Sequence, residues 1–549
     1  MRRALANLGP MLPLLTELGE LFAAAGHEVA LVGGPVRDAF LGRTSPDFDF
    51  TTSARPEQID AILRPWAETT WDVGRAYGTI GALRGNTTFE VTTYRADAYD
   101  RVTRKPVVAF GDNLHDDLHR RDFTVNAMAL RLPELTFVDP YDGYDALQKR
   151  RLRTPAPPEV SFGDDPLRMM RAARFAAQLG FDLAADAAEA MQAMAGSIEI
   201  VSAERVRDEL SKLLLAPWPR RGLGLLVDSG LADHVLPELP ALQLEIDEHH
   251  RHKDVYEHTL TVVEQAIELE GPPGSDPAQV PGPDLILRLA ALLHDVGKPA
   301  TRRFERGGGV SFHHHEIVGA KLTRARLRAL RYDKETVSAV SRLVELHLRF
   351  HGYGDGQWTD SAVRRYVTDA GDLLPRLHRL TRADSTTRNQ RKARRLAATY
   401  DELEVRIEHL LAAEELGKVR PELDGTEPLF QARLRSIEGF RCDLGHRAHV
   451  LCVLGESRSA REEHPGAREA RPRTSERAQL LLARQRHAES SLRRDAEDDG
   501  RHQDAAHSVQ GQRASHRRCD RWSDPTQFRK HRCGASAHQG GQGARPRRH

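Results

Sequence analysis

Between about residues 28 and 139 short apolar runs alternate with glycine-rich or charged breaks. EVALVGG, DFDFTT, TFEVTTYR and TFVDPYD carry this pattern, which predicts strands of a mixed sheet with few helices between them. From Asp165 to about 415 the period lengthens to three- and four-residue steps, as in PLRMMRAARFAAQLGF, LILRLAALLHDV and KARRLAATYDELEVRIEHLLAAEEL, and an all-helical body is expected. The stretch GPPGSDPAQVPGP at 271–283 is too rich in proline to continue either neighbouring helix and reads as a loop between them. At the start, MRRALANLGPMLPLLTELGELFAAAG has Glu17 and Glu20 at helical spacing and no small-residue cleavage site, so an amphipathic first helix is expected rather than a signal peptide. After about residue 427 the periodicity fades into Arg, His, Gly, Ala, Ser and Gln. Such a segment buries too little apolar area to offset its ordering entropy, so disorder is the expected state of 428–549. A shift of reading frame near Glu427 accounts best for the abrupt change; a basic tail that grips RNA is the other reading.

Composition narrows this picture only a little. A chain of 549 residues exceeds one ordinary core and implies two to four folding units. No apolar run reaches the eighteen residues that a membrane span needs, so no membrane partner is expected. The net charge of +1 neither calls for nor excludes a polyanion, because grooves rather than totals bind phosphates. Cys442, Cys452, Cys519 and Cys533 all fall in the last quarter, which leaves the patterned part without disulfide or thiolate metal and fits a cytoplasmic protein.

The chemistry begins at Gly33-Gly34-Pro35-Val36-Arg37-Asp38, directly after the strand EVALV. Two glycines let the backbone approach a ligand, and a helix opening at Pro35 aims free N–H groups at it, which suits a triphosphate; a bare strand-to-helix turn would use the same residues. Asp47 and Asp49 flank Phe48 on a strand and therefore point to one face, where a divalent cation such as magnesium relieves their repulsion. Glu90, in FEVTTYR, supplies either a third carboxylate or a structural ion pair. In RRDFTVNAMA, Arg120 and Arg121 offer planar forks, and Asp122 and Asn126 fall one helical turn apart, able to bond a ribose or phosphate; an Asp-capped helix start is the bland alternative. Asp164-Asp165-Pro166-Leu167-Arg168 begins a helix that continues to Arg171. Asp165 can be simply its N-cap, or Asp165 and Arg168 can act as acceptor and donor for a base edge.

In this order and spacing GGPVRD, the DFD pair, RRDFTVNAMA, DDPLRMMRAARF and SAERVRDEL resemble the class II CCA-adding nucleotidyltransferases and the related bacterial poly(A) polymerases, over about 28–425. The resemblance implies an α+β architecture with a mixed-sheet catalytic head at 1–150, a helical nucleotide-recognition and RNA-binding region at 151–245 and a further helical domain at 246–427. It assigns nucleotide binding to Gly33, Gly34, Arg37, Arg121, Asp122, Asn126, Asp165, Arg168 and Arg171, and magnesium and catalysis to Asp47 and Asp49 with Glu90. Asp165 and Arg168 stand where the family selects C or A by hydrogen bonds. The first acid of that element is Asp164 where the family has Glu. Glu204, Arg205 and Glu209 match the element that braces this helix. The implied partners are tRNA, CTP and ATP, and the implied reaction is attack of the tRNA 3′-hydroxyl on the α-phosphate with loss of pyrophosphate.

A second cluster lies in the helical body. His294-Asp295 ends an apolar helix, with His258, His313-His314-His315-Glu316, His347 and Asp384 at intervals around it, a donor set suited to a divalent or transition metal. It resembles the HD phosphohydrolase superfamily, in which His258, His294, Asp295 and Asp384 match the ligands; His315 and His347 are possible additions, and His313 and His314 exposed loop residues. The recurring Arg388, Arg391, Arg394 and Arg395 are divided between a solvated face and contacts to a tRNA backbone. The alternatives are a poly(A) polymerase of the same family, an enzyme that adds only CC or only A, an HD phosphohydrolase whose head is a non-catalytic nucleotide-binding module, and an RNA-binding protein without catalysis.

Overall fold

The computed structural model describes residues 2–43, 47–98, 107–111, 113–244, 254–306, 309–352, 358–386 and 389–418. The expectations for 428–549 and for Arg388 lie outside these residues. The architecture is α+β, with a mixed sheet in the first third and helices thereafter.

Prolines 10 and 13 divide the first amphipathic segment into a short helix Arg2–Asn7, a 3-10 turn Gly9–Met11 and a longer helix Leu12–Ala24 that buries Leu15, Leu18 and Phe22. The sheet strands are β1 (Val29–Val32), β2 (Asp47–Thr52), β3 (Thr69–Trp71), β4 (Thr79–Arg84), β5 (Thr87–Thr93), β8 (Ala129–Leu132) and β9 (Thr136–Val138), with β6 (Arg95–Ala98) and β7 (Val107–Phe110) forming a separate antiparallel pair. The order is β3-β4-β5-β2-β1-β8-β9, and only β2 and β5 run parallel. Alternation along β2 sends Phe48 and Phe50 inward against Phe89, with ring centroids 6.2 and 5.8 Å apart, while Trp66 closes edge-on at 5.0 Å. Each such ring stabilises the head by about 1.5–3 kcal/mol. The same alternation leaves Asp47 and Asp49 exposed.

Four expected strands are present; β3, β4 and β8 in the sheet and the separate pair β6 and β7 are additional. TIGALR in β4 gives a weak signal because Gly81 interrupts it, and that glycine is needed where the Trp71 ring lies 2.1 Å from the position of an added Cβ. The expected helical turn through Asp122 and Asn126 is absent. Phe123 is extended (φ −136°, ψ 149°) and only Thr124–Asn126 forms a 3-10 turn, because Phe123, Val125 and Ala127 are all buried as the chain enters β8.

The body centres on helix Leu167–Leu179, of which eleven residues are buried, including Arg168 and Arg174. Helix Ala203–Leu214 packs against it, and helix Pro219–Asp228 also contacts it. The expected all-helical character holds apart from two minor pairs, Arg151–Leu152 with Asp182–Leu183 and Arg303–Phe304 with Val310–Ser311. The 271–283 stretch is a loop with one 3-10 turn, joining helices Val255–Glu268 and Leu285–Leu293. Those two helices, with His315–Ala329, Lys334–Leu346 and Leu374–Asp384, hold the second cluster.

Candidate active site and metal centre

Gly33 has φ 74°, a conformation that strongly favours glycine, and opens helix Gly34–Leu41 with Pro35 in its first turn. An added Cβ on Gly33 would lie 3.0 Å from Nη1 of Arg121, so this guanidinium covers the turn. Arg37 donates to Asp38 at 2.9 and 3.0 Å and, through Nη1, to Oδ1 of Asn126 at 2.7 Å. Asn126 in turn donates to Asp122 at 3.0 Å, and the Phe123 backbone N–H donates to the same carboxylate oxygen at 2.8 Å. Arg171 pairs with the other oxygen of Asp122 at 2.6 Å. Asp122 and Asn126 are thus buried bonding partners of each other, and they hold Arg37 and Arg171 in place.

The parallel register of β2 and β5 sets Asp49 opposite Glu90, so Asp47, Asp49 and Glu90 share one patch. Desolvation and the charge of Asp47 push the Asp49 carboxyl above its ordinary range, with Arg121 acting the other way; desolvation together with Asp49 and Asp47 does the same to Glu90. Glu90 thus stands beside Asp49 on the neighbouring strand, a position compatible with the first of its two readings. Charge repulsion within this patch, felt at Asp49 and Glu90, is what a divalent cation would relieve, and Arg121 acts both on Asp49 and on the glycine turn, where a triphosphate would meet it.

Sequence reasoning passed over Asp117. Fully buried in helix Leu114–His119, it accepts from Arg120 at 2.9 Å and Arg121 at 3.1 Å; its pKa is held low, the two guanidiniums outweighing the effect of burial. Its role is to aim Arg121. The only sequence signal for it is an acid four positions before Arg121.

At the next helix Asp165 accepts from the Leu167 N–H at 3.2 Å, the capping contact expected of it, and pairs with Arg205 at 3.0 Å. Arg168 is buried and donates to the Ser161 hydroxyl at 2.9 Å, the Ser161 carbonyl at 3.2 Å and the Arg120 carbonyl. Asp165 and Arg168 are adjacent but their side chains have different partners. The brace at Ala203–Leu214 pairs Arg205 with Asp165 and Glu209 with Arg174 at 2.5 Å, whereas Glu204 pairs with Arg331 at 4.0 Å, away from the helix it was expected to support. Arg174, another residue that sequence reasoning passed over, stacks 4.0 Å over Phe175. Glu209→Ala leaves Arg174 buried and unpaired, and the expected loss of about 3 kcal/mol is read from the urea midpoint of the folded chain.

The second cluster is more enclosed. His294, His315 and His347 each direct Nδ1 at the backbone carbonyl three residues earlier, Ala291, Phe312 and Val344, at 2.8, 2.8 and 2.6 Å. That bond fixes the tautomer and leaves Nε2 as the ligand atom; all three Nε2 atoms are buried without a hydrogen-bond partner. Two groups of three result, His258 with His294 and Asp384, and Asp295 with His315 and His347. Asp295 joins them: one oxygen lies 3.2 Å from His294 and 3.6 Å from His258, the other 3.3 Å from His315. Burial would lower the His294 pKa, but Asp295 and Asp384 outweigh it and hold it up at about 10; Asp295 lies well below the carboxylate range, and burial with the charge of His294 pushes His347 down to about 4. Lys298 adds a second positive charge, 2.6 Å from Asp295. Buried imidazole nitrogens without a hydrogen-bond partner around a shared carboxylate suit a metal, and the structure brings the possible additions His315 and His347 together with the four expected residues, while His313 and His314 are exposed.

Gly297 makes this convergence possible. An added Cβ there would fall 2.1 Å from the His315 carbonyl oxygen and 2.6 Å from the Gly319 nitrogen, backbone atoms that cannot give way cheaply. Gly297→Ala is expected to push helix His315–Ala329 outward, withdraw His315 from Asp295 and cost about 1–3 kcal/mol, seen as a lower thermal midpoint and a lower metal content of the purified chain.

A glycine turn under a guanidinium, beside a patch of acids on a mixed sheet, defines a nucleotidyltransferase head, here followed by a helical body with an HD centre. Comparisons with known proteins agree. Family models match at residues 29–153 ("Poly A polymerase head domain"), 180–242 ("Probable RNA and SrmB- binding site of polymerase A") and 255–389 ("HD domain"). An A-adding tRNA nucleotidyltransferase of Deinococcus radiodurans is 38% identical over 365 residues, 65% of this chain and 75% of that enzyme. A CCA-adding enzyme of Geobacillus thermodenitrificans is 42% identical over 211 residues, 38% of this chain, so the chain spans about half (51%) of that relative's length. The crystal structure of the Bacillus stearothermophilus CCA-adding enzyme in complex with CTP shares the fold at a TM-score of 0.51 and 23% identity, covering 82% of this chain and 98% of that one. The chain belongs to the family of tRNA nucleotidyltransferases and bacterial poly(A) polymerases.

Proposed function

We propose that this chain adds C, C and A to the 3′ end of tRNA from CTP and ATP, and that its HD centre hydrolyses phosphate esters as a second activity. The observation that carries the first part is Arg121 held between the Gly33 turn and the Asp47, Asp49 and Glu90 patch. In this reading the Gly33–Gly34 turn, the free N–H groups of helix Gly34–Leu41, Arg37 and Arg121 bind the triphosphate, and Asp122, Asn126, Asp117 and Arg171 position those groups. Magnesium on Asp47 and Asp49, with Glu90 beside them, supplies charge neutralisation for phosphoryl transfer. The 3′-hydroxyl oxygen bonds to the α-phosphorus, the bond to the β-phosphate oxygen breaks, and pyrophosphate leaves. Asp165 and Arg168 offer an acceptor and a donor to the base. Asp165 exchanges its surface partner Arg205 at small cost, whereas Arg168 stays anchored through Ser161 and Arg120.

The division of labour we infer is catalysis at 1–150, nucleotide recognition and RNA binding at 151–245, and the HD domain at 246–427. The bridging position of Asp295 favours two metal ions at the HD centre. A cytoplasmic site of action belongs to the same reading; among the described residues no helix is long and apolar enough to cross a membrane. One observation favours a narrower activity, the addition of A alone: the similarity to the A-adding relative runs over 365 residues, further than the similarity to the CCA-adding enzyme. Offering CTP alone to a tRNA transcript that lacks all three nucleotides tests this. Incorporation of two cytidines supports CCA addition, whereas extension only of a transcript already ending in CC, and only by ATP, supports the narrower activity.

A further inference from the structure

Phe304 is 74% exposed, the second most exposed large apolar side chain among the described residues, and it stands in an arginine-rich strand. Arg303–Phe304 pairs antiparallel with Val310–Ser311, and the guanidinium of Arg302 covers the Phe304 ring at 4.8 Å, with Arg303 and Arg306 exposed beside it. This hairpin is tied to the HD centre at both ends. Upstream, only the four-residue helix Lys298–Thr301 and Arg302 separate it from Asp295–Val296–Gly297, and Lys298 bonds Asp295 at 2.6 Å. Downstream it runs into Phe312, whose carbonyl accepts from the metal-facing His315 and whose ring lies 5.8 Å from the Lys298 ammonium. The chain leaving Asp384 also turns basic, with Arg391, Lys392, Arg394 and Arg395 all exposed. Segments that lead away from the ligands thus carry cations, and one carries an open aromatic face.

We propose that the strand pair Arg303–Phe304 and Val310–Ser311 is the substrate arm of the HD centre, stacking Phe304 on the base of a nucleoside phosphate ester while Arg302 and Arg303 meet its phosphates. An aromatic face beside arginines is the chemistry that holds a base and its backbone together, whereas an ester without a base would gain nothing from Phe304. The inference rests on the phosphohydrolase reading of the centre. In the hydrolysis, the oxygen of a water bonds to phosphorus, the bond from phosphorus to the ribose oxygen breaks, and the water proton passes to that oxygen, releasing the nucleoside hydroxyl and inorganic phosphate.

The test measures KM on the full chain with added divalent metal for a hexaribonucleotide 3′-phosphate, 3′-CMP and glycerol 2-phosphate. Base stacking is worth about 1–3 kcal/mol, so Phe304→Ala should raise KM on the order of tenfold for the esters that carry a base, relative to glycerol 2-phosphate, and Phe304→Trp should restore it. A lower KM for the hexanucleotide than for 3′-CMP identifies an RNA end as the source, and equal values a free nucleotide. A second readout needs no turnover: a hexaribonucleotide ending in 4-thiouridine 3′-phosphate, irradiated with the protein, should crosslink to the peptide containing Phe304. Equal effects of Phe304→Ala on all three esters, with crosslinks confined to other peptides, overturn the inference. A wild type that hydrolyses none of them with any metal overturns the phosphohydrolase reading instead, and the crosslink then decides the hairpin's role by itself.

Discussion

Asp47→Ala combined with Asp49→Ala is expected to abolish nucleotide incorporation, by on the order of a thousandfold or more, while leaving the fold as stable as before or slightly more so. The two carboxylates are exposed on the strand that buries Phe48 and Phe50 on its other face, so alanine removes no core contact. Their present effect on each other is repulsive, since Asp47 and desolvation together push the Asp49 carboxyl upward. What is lost is the anchor for the cation that neutralises the reacting phosphates, an interaction worth several kcal/mol in the transition state, and each 1.4 kcal/mol is a factor of ten in rate. Incorporation of labelled CTP and ATP into tRNA, alongside a urea melt, checks both halves. A large fall in stability would show that the acids hold the head together rather than serve its chemistry. Glu90→Gln should give a smaller fall in rate, since Glu90 is next to Asp49 but on the neighbouring strand.

The second large effect concerns the HD centre. Asp295→Asn keeps the shape of the side chain but removes the charge that both groups of ligands share, so bound metal should drop to a small fraction of the wild-type content and phosphate-ester hydrolysis with it. His347→Ala reaches only one of the two groups and should remove part of the metal. Elemental analysis of the purified chains measures this directly, with CTP incorporation as the control for the head. Equal metal in Asp295→Asn and wild type would contradict a bridging role for this carboxylate.

How much of this could be read beforehand depended on whether one local period carried the information. The alternation in DFDFTT reports both the buried aromatic face and the exposed acids, because a strand shows its two sides in sequence order. The His294-Asp295 pair was legible for a different reason: an adjacent imidazole and carboxylate closing a run as apolar as LILRLAALL is costly unless something holds them. Asp122 and Asn126 were misread as one helical turn because a spacing of four does not distinguish an α-helix from an extended residue followed by a 3-10 turn, and the burial of Phe123 and Val125 decided between them. Asp117 and Arg174 were invisible, although Glu209 was expected to brace helix Leu167–Leu179, since charges at helical spacing read as a solvated face until tertiary packing buries them. His315 and His347 stood out as candidates, but only the close approach at Gly297 and the matching carbonyl contacts aim their Nε2 atoms at Asp295 and the rest of the cluster.

The head and the HD centre also differ in how finished they are. Three of the candidate HD ligands, His294, His315 and His347, are fixed by packing and by bonds to carbonyls of their own segments. The pair proposed to select the base is engaged within the protein, Asp165 by Arg205, and Arg168 by Ser161 and Arg120. In the proposed selection Asp165 exchanges Arg205 for the base, while Arg168 keeps its anchor. Arg205→Ala, which frees Asp165, is a direct way to see whether the pairing restrains the choice between C and A.

The measurement that bears most directly on the central claim is extension of a tRNA transcript lacking its last three nucleotides, with CTP and ATP together, resolved one nucleotide at a time. The account predicts ordered addition of two cytidines and one adenosine, a stop at that point, and no extension by the Asp47→Ala/Asp49→Ala chain. A long adenosine tract, or the same extension from the doubly substituted chain, would contradict it.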